Sequence, residues 1–106
     1  MAHDPISVTN DDELAAVANS GTGTVNDPYI ISGWEITSNN TTGIFITATT
    51  KHFRIENCWM ENCSVSIESV EPGTAIITDT IINVGSLHLH SADLSLITNN
   101  IIISER

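Results

Sequence analysis

Ile31-Ser32-Gly33-Trp34-Glu35-Ile36 is the first of four segments that align when the chain is cut at a loose period. The others are Ile55-Glu56-Asn57-Cys58-Trp59-Met60, Ile77-Thr78-Asp79-Thr80-Ile81-Ile82 and Ile97-Thr98-Asn99-Asn100-Ile101-Ile102. Each opens on Ile and closes five residues later on Ile or Met, at successive offsets of 24, 22 and 20 residues. The third column, Gly33, Asn57, Asp79 and Asn99, holds only residue types that tolerate a left-handed backbone. It therefore predicts a ladder of tight bends, one per period.

Between these segments a second apolar alternation recurs as Ile44-Phe45-Ile46, Val65-Ser66-Ile67 and Leu87-His88-Leu89, at offsets of 21 and 22 residues. Two strands per period, with equivalent residues returning in the same chain direction, suit stacked parallel coils better than a hairpin meander. Each coil adds about 4.8 Å of rise, so three to four coils make a stub roughly 15–20 Å tall. Ile36, Met60, Ile82 and Ile102 then form one inner column, and Ile46, Ile67 and Leu89 another. Stacking assigns His88 the neighbours Ser66 and Phe45, and His90 the neighbours Glu68 and Thr47.

Composition agrees. Ile, Thr and Val number 16, 13 and 6, so 35 of the 106 residues are β-branched and favour a pleated surface. That length suits one domain over residues 1–106, with an N-terminal strand and helix over 1–21 and β coils over 22–106. Ile6-Ser7-Val8 reads as a short strand. Thr9-Asn10-Asp11-Asp12-Glu13 then offers helix-capping oxygens, Leu14, Val17 and Ala18 share a face, and Gly21 is placed to end the helix. Such a helix closes the first coil, whose edge would otherwise lie open.

Acidic residues number 13 against 3 Lys and Arg, a formal net charge of −10. Lys51, Arg54 and Arg106 make no basic footprint, so nucleic acid is excluded as a partner and anionic membrane surfaces are disfavoured. No apolar run approaches the roughly 20 residues of a membrane helix, and Met1-Ala2-His3-Asp4-Pro5 does not read as a secretory signal. Two cysteines, Cys58 and Cys63, are too few for a disulfide framework and leave the redox compartment open.

These segments resemble the right-handed parallel β-helix repeat proteins of the carbohydrate-binding and sugar-hydrolase type, with archaeal surface proteins and periplasmic nitrous oxide reductase accessory proteins nearest in look. Gly21 to Ile36 resembles the opening stretch of archaeal members, Phe53 to Asn62 resembles their repeat, and the likeness covers residues 21–104. The resemblance implies a right-handed coil and a cell-surface or extracellular setting. Its members include lyases, hydrolases, adhesins and inert scaffolds, so it says little about activity. Members usually carry more coils, which points to a fragment, a truncated product or an oligomer-forming stub.

Three sets of residues invite chemistry. Family hydrolases use carboxylates from adjacent coils, but Asp79 has only Asn57 and Asn99 as column neighbours, and the bend explains it; no catalytic residue is assigned. His88 and His90 point the same way from one strand, and with Glu68 one coil away they form a candidate divalent-metal site for Zn²⁺, Ni²⁺ or Cu²⁺. Two histidines on a solvated strand are also ordinary surface, and no fourth ligand is visible. Cys58 falls just past the bend in the column Trp34, Cys58, Thr80, Asn100. Cys63 aligns near Gly85 in a turn, and both read as locally packed thiols.

Two outer columns are apolar where a solvated strand is normally polar: Ile30, Arg54, Ile76, Leu96 and Glu35, Trp59, Ile81, Ile101. With Ile103 they nominate an interface of Trp59, Ile76, Ile81, Leu96, Ile101 and Ile103. Strand edges left open pair with something, so a homo-oligomer is expected, most simply a two-fold dimer through the C-terminal coil. The sequence thus reads as a non-catalytic, self-associating structural or binding module without a cofactor. One alternative is a carbohydrate-binding or polysaccharide-cleaving fragment in which Trp34, Trp59, Glu56 and Glu61 face sugar. The other is a metal-binding accessory using His88 and His90.

Overall fold

Gly33, Asn57 and Asp79 have φ values of 77°, 54° and 52°, so the backbone turns through the left-handed region at each of them. A Cβ at Gly33 would meet nothing within 4 Å, so conformation and not crowding accounts for glycine there. Asn and Asp serve in the same place because their short polar side chains make that region less costly. A computed structural model describes residues 5–90, 96–98 and 100–103, without the side chains of 38–41 and 103; Asn99, the fourth member of the ladder, lies outside the described residues.

The bends divide the strands into two sheets. Before the bends run β2 (Tyr29–Ser32), β4 (Phe53–Glu56), β6 (Ala75–Thr78) and β9 (Leu96–Thr98), which form a four-stranded sheet in that order. After them run β3 (Glu35–Thr47), β5 (Trp59–Glu68), β7 (Ile81–Asn83) with β8 (Leu87–His90), and β10 (Ile101–Ile103). These join β1 (Ile6–Val8) in a second sheet of order β1-β3-β5-β7-β10, in which β8 also pairs with β5. Every pairing between these strands is parallel. The described residues are therefore mostly β, with one short helix among them.

Register follows the repeat. Ile31 pairs with Ile55 and Ile55 with Ile77, while Ile36 pairs with Met60 and Met60 with Ile82. Farther along, Val8 pairs with Ile46, Ile46 with Ile67, and Ile67 with Leu89. Within these columns the residues up to Ile82 are buried, so one core runs between the sheets. The terminal members are open: Leu89 is 43% and Ile102 42% exposed, because no described strand stacks on them. Large sits against small where space demands it, with Phe53 in register with Ala75, both buried.

Three local details differ from the sequence reading. The strand after the first bend is one 13-residue element, β3, interrupted only by register shifts between Thr37 and Thr41 and between Thr42 and Ile44. Cys63 lies within β5 and not in a turn. It is nevertheless close to Gly85, where an added Cβ would fall 2.0 Å from the Cys63 carbonyl oxygen. The helix α1 (Asp11–Val17) stops short of Gly21, because Ala18 at its C-cap already has extended backbone (ψ 144°). Its start follows the capping residues: the Asn10 side chain accepts from the Glu13 amide at 2.8 Å, and the Glu13 carboxylate accepts from the Thr9 amide and hydroxyl.

At the N-terminal end both sheet edges are occupied. Strand β1 covers β3, and Ser20 bridges antiparallel to Ile30 of β2, with the Asn19 side chain accepting from the Ser32 amide. Leu14 buries its side chain completely, and Asp11 accepts from the amide and hydroxyl of Thr50, tying the helix to the loop after β3.

The bend ladder makes a stability prediction. Asn57→Val forces a β-branched residue to positive φ and should lower stability by about 1–2 kcal/mol, whereas Asn57→Gly should be close to neutral. Urea denaturation midpoints decide this; equal losses for both variants would show that the side chain and not the backbone matters.

Candidate functional site

Side chains alternate along a strand, so burying Ile36, Met60 and Ile82 sends their neighbours outward. Register then fixes which outward residues meet: Glu35 lies beside Trp59 and Trp59 beside Ile81, while Thr37 lies beside Glu61 and Glu61 beside Asn83. Glu35, Thr37, Trp59 and Glu61 line an open groove of about 360 Å³. Trp59 is 42% exposed in it.

Hydrogen bonds hold the groove's parts in place. The Trp59 Nε1–H donates to Glu61 Oε1 at 2.9 Å, and Asn83 Nδ2 donates to both carboxylate oxygens at 3.0 and 3.1 Å. The Asn83 amide, then the Trp59 indole, keep the Glu61 carboxyl below the usual carboxylate range. Glu61 is thus ionised at neutral pH with neutral donors as its partners, and its bond to the indole restrains the ring.

The nominated residues are distributed unevenly around this groove. Trp34 is half-buried and packs against the core, whereas Trp59 is exposed. Glu56 is bound to Arg54 at 3.0 Å on the other sheet, which separates it from Glu61. Of the interface set, Leu96 and Ile101 are 52% and 55% exposed and Ile76 and Ile81 are half-buried; the Ile103 side chain lies outside the described residues. Glu35 stood in one outer column with Trp59 but was assigned no role, and Thr37 and Asn83 were not nominated. The offsets of 24 and 22 residues that relate Glu35 to Trp59 and Glu61 to Asn83 were the available signal.

For the metal candidates, register places Glu68 beside His90 and Ser66 beside His88. His88 Nε2 and the Ser86 hydroxyl share a hydrogen bond at 2.8 Å. Among the described residues no three His, Cys, Asp or Glu side chains stand together as a metal-holding group. Burial pushes the Cys58 thiol up, away from thiolate reactivity, and its Sγ lies near the carbonyls of Glu56 and Ile31 at 3.4 and 3.7 Å. Cys63 is also buried, and its Sγ donates to the Ile36 carbonyl at 3.4 Å.

No helix among the described residues is long and apolar enough to cross a membrane. Comparison with protein-family models, curated proteins and solved structures gives no match, so the groove's chemistry is argued from its own residues.

Because the Glu61 pKa is depressed, the pairing it supports is present at neutral pH and lost as pH falls through that lowered value. The Trp59 indole N–H resonance should therefore move with a midpoint below the ordinary Glu value of about 4.3. In Asn83→Ala, which removes the stronger donor set, the midpoint should rise. A midpoint at or above the ordinary value in the unaltered chain contradicts this geometry.

Proposed function

We propose that the chain is a short right-handed parallel β-helix, three to four coils high with an N-terminal helical cap, that serves as a non-catalytic, self-associating binding module. The coiled reading is supported by two all-parallel sheets whose strands alternate along the chain. Each return to the same sheet is a parallel crossover, and such crossovers are overwhelmingly right-handed.

One observation carries the self-association: the contrast between the two ends. At one end β1, Ser20 and α1 cover strand edges and core. At the other, Leu96, Ile101, Ile102 and Leu89 are 52%, 55%, 42% and 43% exposed. The occupant proposed for this apolar end is a second copy. With a net charge of −10, two copies repel over most of their surface, yet β7, β8, β9 and β10 contain no Asp, Glu, Lys or Arg. Those strands put no like charge between two copies, and a two-fold contact pairs edge with edge.

A binding role suits the groove better than hydrolysis. Glycosidic cleavage needs a carboxylic acid kept protonated near neutral pH, and Glu61 is shifted the opposite way. Carbohydrate binding is the second reading, favoured by the exposed Trp59 ring.

Multi-angle light scattering of the 106-residue chain at micromolar concentration should return twice the chain mass. Leu96→Glu combined with Ile101→Glu should return one chain mass while keeping the circular dichroism of the unaltered chain. A stable monomer before substitution would sink the dimer.

A further inference from the structure

We infer that the groove over Trp59 binds a guanidinium group, the arginine side chain of a basic peptide. The inference rests on the reading of the chain as a binding module and is independent of whether two copies associate.

The lining has the complementary form. A guanidinium is planar, stacks on an indole, donates through five N–H groups and accepts nothing. Trp59 presents the exposed aromatic surface, and tryptophan is the side chain that holds cations best over its ring. Glu35 flanks it across one strand spacing, about 4.8 Å, and Glu61 flanks it two residues along the same face of β5. Thr37 adds a hydroxyl acceptor diagonally across. Two carboxylates and a hydroxyl thus surround an aromatic ring, and none of the described residues that line the groove is basic.

Among the described residues the one arginine is held on the other sheet. Arg54 is paired with Glu56 on the other sheet, and the Glu61 charge is met by the neutral donors Asn83 and Trp59, which orient it without cancelling it. The surrounding charge of −10 steers cations toward the surface. At about 360 Å³ the groove falls at the small end of ligand sites, which run from about 300 to 1,000 Å³, and suits one side chain with its flanking peptide.

Competing ligands fit less well. A neutral sugar brings no charge to meet the two carboxylates or the surrounding excess of acid, whereas a guanidinium does. A bare divalent cation wants more ligands than two carboxylates, and the described residues bring no third metal-binding side chain to this place.

The test is a titration of the ¹⁵N-labelled 106-residue chain with acetyl-Gly-Arg-Gly-amide, following the Trp59 indole resonance and using Trp34 as an internal reference. Saturable shifts at Trp59 are expected. Replacing arginine by citrulline, which keeps the shape and removes the charge, should weaken binding roughly ten-fold or more. Glu35→Gln should weaken it several-fold, Trp59→Leu, read on the backbone amides of residues 59–61, should abolish it, and added salt should weaken it in the unaltered chain. Each variant must retain the Trp34 resonance, which separates loss of the site from loss of the fold. Equal affinity for the citrulline peptide, or no saturable shift at millimolar arginine peptide, overturns the inference. Saturable shifts with cellotetraose and none with the arginine peptide would also overturn it and assign the groove to carbohydrate. A missing arginine response in a sample that still scatters as a dimer rejects the guanidinium site alone; a monomer that binds neither probe rejects the binding-module reading as well.

Discussion

Parallel pairing that sets like residues in register is the constraint on which everything else in this molecule depends. Each passage of the chain sets Ile, Val or Met one strand spacing above its counterpart, so Ile31, Ile55 and Ile77 form one column and Ile36, Met60 and Ile82 another. A shift by one residue would turn the core outward, since strand side chains alternate. The positive-φ bends at Gly33, Asn57 and Asp79 hold that register across the corner. Hydrogen bonds follow it there, from Trp59 N–H to the Trp34 carbonyl and from Ile81 N–H to the Cys58 carbonyl. The same stacking that buries the core delivers Glu35 to Trp59 and Asn83 to Glu61, so the groove is a by-product of register and not of a specialised loop.

Charge and apolar surface act as opposing terms on the outside. The acidic excess keeps copies apart over most of the surface, while the end formed by β8, β9 and β10 leaves Leu89, Leu96, Ile101 and Ile102 open without an acidic residue in those strands. Within the groove the acids have another use. Glu61 is fixed by neutral donors and stays ionised, which favours holding a cation over transferring a proton.

Much of this was legible in the sequence because the repeat writes it directly. The bend column and the inner columns follow from residue types that recur every 20–24 positions, and the offsets also placed Glu68 beside His90. The limits of α1 were harder to read: Gly21 looked like its terminator, but Ala18 leaves the helix first because residues 19 and 20 turn to bond along β2. The packing of Trp34 was also not written in the repeat. Trp34 sits between the bend and β3, where strand alternation does not govern direction, and there it packs on the core. The repeat did set Glu35 in one column with Trp59, but Asn83 stayed hidden because it is an ordinary polar residue until the neighbouring passage sets it beside Glu61.

Cross-strand nuclear Overhauser contacts in the ¹³C,¹⁵N-labelled chain test the central claim most directly. The stacked parallel arrangement predicts that the Met60 side chain contacts both Ile36 and Ile82, that Ile55 contacts both Ile31 and Ile77, and that these strands show no short Hα–Hα pairs. Short Hα–Hα contacts between successive strands, the mark of antiparallel hairpins, or Met60 contacts confined to one neighbour, would contradict it.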